Sequence, residues 1–273
     1  MHFTRRGSGP LLLLVHGIGG SGRSWDPIAG RLAEERSLIL VDLPGHGQTP
    51  ALAETSIATY ADALEAFLDE QDLRGVDMAG SSMGARLVLE LARRGSAGNV
   101  VALDPGGFWT RRERRIFGVS VGLSVKLVRL LEPVLPFLTG NPITRTVLLG
   151  QFSSKPWALD GEVVLRELRS FLTTESFEPA LRALSEGPPQ EGTANPPGRV
   201  VAGWGKRDLV TLPRGAARFR QRFPTAEVEW YPTSGHFPYW DAPEAAVATI
   251  LRTTGETPAG ANDARMRSAG STV

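Results

Sequence analysis

Short apolar runs recur along this chain and divide it into a regular alternation. Leu11–Val15, Leu38–Val41 and Val100–Leu103 are apolar throughout, Val76–Ala79 is broken only by Asp77, and Arg199–Trp204 and Ala226–Tyr231 continue the series. Runs without polar alternation suit strands buried on both faces, which predicts a mostly parallel sheet covered by helices, an α/β architecture. Segments between the runs have helical spacing: within Thr59–Leu68, Ala63, Leu64, Phe67 and Leu68 share one stripe, with Glu65 and Asp69 opposite. A closing helix is expected over Asp241–Arg252, with Pro243 in its first turn, where proline is tolerated. Arg5-Arg6 ahead of Leu11–Val15 has the outline of an export signal, but the apolar run is too short and ends in His16. It is expected to be a buried strand, with room for one short strand before it around Phe3–Arg6.

The alternation stops between Gly106 and about Gly187, a stretch too long for one crossover helix. It is expected to form a helical cap, or lid, over the C-terminal edge of the sheet. Helical candidates are Arg111–Phe117, Val121–Phe137, Pro142–Leu149, Gly161–Leu172 and Phe177–Leu184. In the second, Lys126, Arg129 and Glu132 mark a polar face and Val121, Val125, Val128, Leu131 and Leu135 an apolar one. Val119, Val121, Leu123 and Val125 also alternate as a strand would. Charges and prolines interrupt the apolar stretch Ile116–Leu138, which argues against a membrane span; a substrate-covering lid is preferred to one touching a membrane surface. The Pro-rich run Gly187–Gly198 reads as a hinge back to the core. The chain thus divides into core segments 1–106 and 188–254, a cap at 107–187, and a tail at 255–273 whose Gly, Ala, Ser and Thr content predicts disorder.

Candidate chemistry starts at Gly80-Ser81-Ser82-Met83-Gly84, between the run ending at Ala79 and the helical segment Ala85–Arg94. Gly-x-Ser-x-Gly at a strand-to-helix turn holds its central residue in a tight, strained conformation and lifts the Ser82 hydroxyl above the sheet edge. A serine hydroxyl needs a histidine to take its proton, and that imidazole needs a carboxylate to hold its tautomer. Asp208 follows the run Arg199–Trp204, and His236 follows Ala226–Tyr231. Asp104, at the end of Val100–Leu103, is the rival carboxylate. Gly17-Ile18-Gly19-Gly20-Ser21-Gly22 also satisfies a dinucleotide-binding pattern, with Asp42 about twenty residues on. His16 at the strand end and the tight Leu43-Pro44-Gly45-His46-Gly47 turn after Asp42 count against that reading. It would also leave Ser82, Asp208 and His236 without a role.

His16-Gly17-Ile18-Gly19-Gly20, Asp42 to Gly47, Gly80 to Gly84, Trp204 to Asp208 and Gly235-His236-Phe237-Pro238 together resemble the α/β-hydrolase fold family, and the order serine, aspartate, histidine is that family's. The resemblance spans residues 11 to about 250 apart from the insert. It implies a helical cap inserted after the sixth strand, Ser82 as nucleophile, His236 as base and then acid, and Asp208 as orienting carboxylate. It also implies an oxyanion hole made by the N–H groups of Met83 and Ile18. Gly17, Ser81, Phe108, Trp109, Phe237 and Trp240 are candidate substrate-binding residues. His46 is expected to stabilise its turn, and His16 to orient the oxyanion loop.

Composition narrows this only a little. Hydrophobic residues make up 41% and charged residues 22%, with a net charge of +1 that supplies no long-range field to attract nucleic acid or an anionic membrane. The absence of cysteine excludes disulfides, thiolate metal sites and a cysteine nucleophile. The expected function is a cytoplasmic serine hydrolase, without cofactor or metal, that acts on a small or medium apolar ester, lactone or thioester. Alternatives on the same scaffold are C–C bond hydrolysis of a ring-cleavage diketone, a cofactor-free perhydrolase, and a ligand receptor without turnover.

Overall fold

A computed structural model describes residues 1–255, so the tail expected to be disordered lies outside the described residues apart from Gly255. Seven strands form one sheet: β1 (Phe3–Arg6), β2 (Leu11–Val15), β3 (Ser37–Val41), β4 (Asp77–Ser81), β5 (Val100–Leu103), β6 (Val200–Gly205) and β7 (Glu227–Tyr231). Their order is β1-β3-β2-β4-β5-β6-β7. β1 runs antiparallel to β3, and all other pairs are parallel. The uniformly apolar runs end up in central strands whose two faces feed separate buried clusters. Leu13, Ile39 and Val100 point to one, and Leu12, Leu38 and Val101 to the other.

Helices α1 (Asp26–Leu32), α2 (Ile57–Glu70) and α3 (Met83–Arg94) follow β2, β3 and β4. Between β5 and β6 the chain passes through α4 (Arg111–Leu130), α5 (Leu135–Gly140), α6 (Pro142–Leu149), α7 (Gly161–Thr173) and α8 (Phe177–Glu186). α9 (Gly215–Arg222) follows β6, and α10 (Pro238–Asp241) and α11 (Pro243–Thr253) follow β7. The insert therefore leaves the sheet after the fifth strand, not the sixth as expected, because a single strand precedes Leu11–Val15.

α4 is one helix where the sequence suggested two. Thr110 caps its start, accepting from the Glu113 N–H while the Glu113 carboxylate accepts from the Thr110 N–H. Phe117, Val121, Val125 and Val128 are buried at helical spacing, which overrides the strand-like alternation of the same region. The helix ends before Pro133, whose ring and missing N–H cannot continue it. The Pro-rich return segment is pinned to α3. Buried Arg86 donates to Pro188 O at 2.6 Å and to Gln190 Oε1 at 3.1 Å, and Gln190 in turn donates to Glu90 at 3.1 Å. Among the described residues no helix is long and apolar enough to cross a membrane.

Candidate active site

Ser82 joins β4 to α3 at φ 55° and ψ −109°, a region that side chains with a Cβ rarely occupy. The flanking glycines are required by contact. A Cβ on Gly80 would sit 2.3 Å from Gly84 O, and one on Gly84 would sit 2.2 Å from Val15 O. The strained turn is held by the Ser82 N–H, which donates to Leu103 O on β5 at 2.9 Å.

His236 lies in the loop after β7. Its Nε2 is 2.9 Å from Ser82 Oγ, and its Nδ1 is 3.0 Å from Asp208 Oδ2. All three residues are buried. Asp208 Oδ1 accepts from the N–H groups of Val210 at 2.7 Å and Thr211 at 3.0 Å, while the Thr211 hydroxyl donates to Oδ2 at 2.5 Å. Burial alone would raise this carboxyl, but the His236 imidazole, Asp104 and Thr211 together hold it below the usual aspartate value. An ionised carboxylate can only accept, so the proton of neutral His236 sits on Nδ1 and the Nε2 lone pair faces the serine hydroxyl.

Asp104 ends β5 at φ 47° and lies against Asp208. Its Oδ1 accepts from Gly205 N at 2.9 Å, while Oδ2 has no hydrogen-bond partner that meets ordinary geometry. Burial first, and then the charge of Asp208, raise this carboxyl well above the ordinary value. Two carboxyl groups this close do not both ionise, so Asp104 is the neutral member and Asp208 the charged one. Ligand atoms of Asp104, Asp208 and His236 lie within 4.8 Å of one another, a spacing that a metal ion could use. However, Nδ1 of His236 and both oxygens of Asp208 are already engaged with each other or with Val210 and Thr211, which leaves poor donors for a cation.

The loop after β2 faces Ser82, and a Cβ on Gly17 would lie 3.2 Å from Ser82 Cβ. The N–H groups of Ile18 and Met83 donate no hydrogen bond among the described residues. His16 braces this loop from below. Its Nε2 accepts from Leu43 N at 3.0 Å, so Nδ1 carries the proton and donates to Gly17 O at 2.7 Å. Burial lowers the His16 pKa to about 4, and burial with the His16 neighbour lowers His46 to about 3, so both rings are neutral at ordinary pH. Asp42 is committed to the backbone around it: its Oδ1 accepts from Gly22 N at 2.8 Å and its Oδ2 from Gln48 N at 3.0 Å.

A narrow cavity opens above Ser82 and His236. Gly17, Ile18, Phe237 and Trp240 line it from the core, and Phe117, Val121 and Phe171 from the insert. Three expected pocket residues lie elsewhere. Ser81 is buried in β4 and does not line this cavity. Phe108 packs edge-on against Trp204 and Phe219, and Trp109 stacks on Phe117 at 4.6 Å. Phe108 and Trp109 instead line a second, separate cavity with Arg218. Glu167 was not anticipated from the sequence. It is the acidic group in the wall of the Ser82 cavity, its Oε2 accepting from Ser24 Oγ at 2.8 Å, and burial raises its carboxyl despite that bond. Its helical position among the charged residues of α7 carries no sign of this placement.

The sequence profile described as the alpha/beta hydrolase family matches residues 12–250, which is most of the chain. The chain belongs to the alpha/beta hydrolase family. An uncharacterized protein of Mycobacterium tuberculosis is 27% identical to this hydrolase over 270 residues, covering 92% of this chain and 76% of its own. Among solved structures, an esterase from Exiguobacterium antarcticum is similar at a TM-score of 0.74 with 17% identity, covering 92% of this hydrolase and 94% of the esterase. The enol-lactonase from Burkholderia xenovorans is similar at a TM-score of 0.70 with 15% identity, over 92% of this chain and 95% of the lactonase. At these identities the likeness to the two structures is one of fold.

Proposed function

We propose that this hydrolase cleaves small-to-medium apolar carboxylic esters, lactones or thioesters through an acyl-enzyme on Ser82. The observation that carries the reading is the unbroken chain from Ser82 Oγ to His236 Nε2 at 2.9 Å and from His236 Nδ1 to Asp208 at 3.0 Å. Ser82 attacks the carbonyl carbon as its proton passes to His236, and Asp208 stabilises the imidazolium that forms. The unpaired N–H groups of Ile18 and Met83 receive the negative charge on the carbonyl oxygen. His236 then protonates the leaving group, and water repeats the sequence to release the acid. The insert at 107–187 acts as the cap, and its Phe117, Val121 and Phe171 favour an apolar acyl chain. Two fold neighbours are called an esterase and an enol-lactonase, which agrees with a carboxylic ester as the bond cleaved.

A fluorophosphonate probe should label Ser82 in the wild-type chain and fail to label Ser82→Ala. A series of nitrophenyl esters of rising acyl length should be hydrolysed, with an optimum at short or medium chains. Absence of both labelling and hydrolysis would sink the proposal in favour of a ligand receptor on the same fold.

A further inference from the structure

Among the described residues twelve large hydrophobic side chains are exposed, and ten of them lie between Ile116 and Trp157. Such concentration in one stretch of chain is unusual, because isolated soluble chains rarely leave a large contiguous apolar patch in water. On α4, Ile116, Val119, Leu123, Leu127 and Leu130 recur every third or fourth residue and form a stripe. The stripe lies on the other side of the helix from Phe117, Val121, Val125 and Val128, which are buried. Val128, Leu135 and Leu149 share one small core with Val164 and Leu168, so α4, α5 and α6 each pack against it. Each of these helices also carries exposed side chains: Leu130 is 77% exposed, Phe137 73%, Ile143 76% and Val147 83%.

The charges beside this patch select its partner. Arg112, Arg115, Lys126 and Arg129 are exposed along α4, with Glu132 the exposed acid at the helix end. Arg129 lies 3.5 Å from Glu178, and the others leave the face positive. A second copy of the chain would bring two such basic rows together. An anionic lipid surface instead accepts the apolar stripe into its acyl boundary and pairs the flanking cations with headgroups. Trp157 is exposed and is a side chain suited to headgroup depth.

We propose that the outer face of α4, α5 and α6 docks this protein on an anionic lipid surface. The inner face of α4 supplies Phe117 and Val121 to the cavity above Ser82, so docking holds that cavity against the bilayer, where apolar esters concentrate. This goes beyond the hydrolase reading, since docking needs no turnover.

The test uses Ser82→Ala full-length protein with vesicles of phosphatidylcholine alone or mixed with phosphatidylglycerol. It should co-sediment with the anionic vesicles at low salt, several-fold less so at high salt, and weakly with phosphatidylcholine. Leu123→Asp/Leu127→Asp should lower the partition coefficient by about tenfold or more, and Lys126→Glu/Arg129→Glu should remove the preference for phosphatidylglycerol. Melting temperature and hydrolysis of a water-soluble short ester, measured on the same changes in a Ser82 background, should stay at wild-type values. Protein that remains in the supernatant with both vesicle types overturns the proposal. So does a wild-type dimer that Leu123→Asp/Leu127→Asp converts to monomer without any lipid binding, which would make the patch a self-association surface.

Discussion

A serine side chain at φ 55° costs about 1–3 kcal/mol, and at Ser82 the cost is met by the surrounding frame of Gly80, Gly84 and Leu103 O. Under the proposed mechanism, Ser82→Ala and His236→Gln should each lower kcat by about a million-fold in a nitrophenyl ester assay. Asp208→Asn should cost about ten-thousand-fold, because an amide in that place can donate to Nδ1 and reverse the tautomer. Asp104→Asn should behave in the opposite way and keep activity to within about tenfold, since an amide resembles the neutral acid already there. The Asp104 pKa is raised above 3.8, so its stabilising contribution is present below that pH and lost as pH rises through the folded value. Urea unfolding against pH should show that Asp104→Asn lacks this loss. The serine was legible in the sequence because its frame is local: two glycines at fixed offsets admit one residue. Asp208 was preferred through the family resemblance, while the residues alone left Asp104 as a rival, because each follows a parallel strand. Thr211 and the backbone around Asp208 are what separate a charged site from a neutral one.

At the scale of elements, the loop that carries His236 is held by the insert. The His236 N–H donates to Phe152 O at 2.8 Å. Asp241 at the end of α10 accepts from Gly235 N at 2.6 Å, Ser154 N at 2.8 Å and Ser153 Oγ at 2.5 Å. Asp241→Ala should therefore lower kcat by roughly ten- to a hundredfold with a smaller change in KM, as expected when a catalytic group is slightly misplaced. Steady-state kinetics beside a thermal melt would test it; a fall in melting temperature with unchanged kcat would count against a positioning role. In the sequence Asp241 looks like the start of a closing helix, because its partners lie 88 and 87 positions earlier. Helical spacing in the insert was legible, whereas the joining of two helical segments into α4 rested on which residues found burial. The same spacing could not say that Phe108 and Trp109 turn towards a second cavity.

The molecule as a whole buries two neutral histidines under the candidate site, and that ties its stability to pH. His16 is lowered from 6.5 to about 4 and His46 from 6.5 to about 3, chiefly by burial. The unfolded chain thus binds more protons than the fold within those windows. The contribution of these two histidines should be greatest above pH 6.5 and fall as pH drops, with the His16 share, about 3 kcal/mol, gone below about pH 4, against the opposite trend from Asp104. Urea unfolding across this range measures the slope, and His16→Gln/His46→Gln should flatten it. The sequence by itself determined what short-range sterics and hydrophobic periodicity control. These are the buried parallel strands, the turn that presents Ser82, and the order of serine, aspartate and histidine along the chain. Tertiary structure alone decided which carboxyl keeps its charge, that Glu167 enters the cavity wall, and that the outer face of the insert stays bare. Those outcomes depend on partners far apart in sequence, and burial and proximity exist only once the chain has folded.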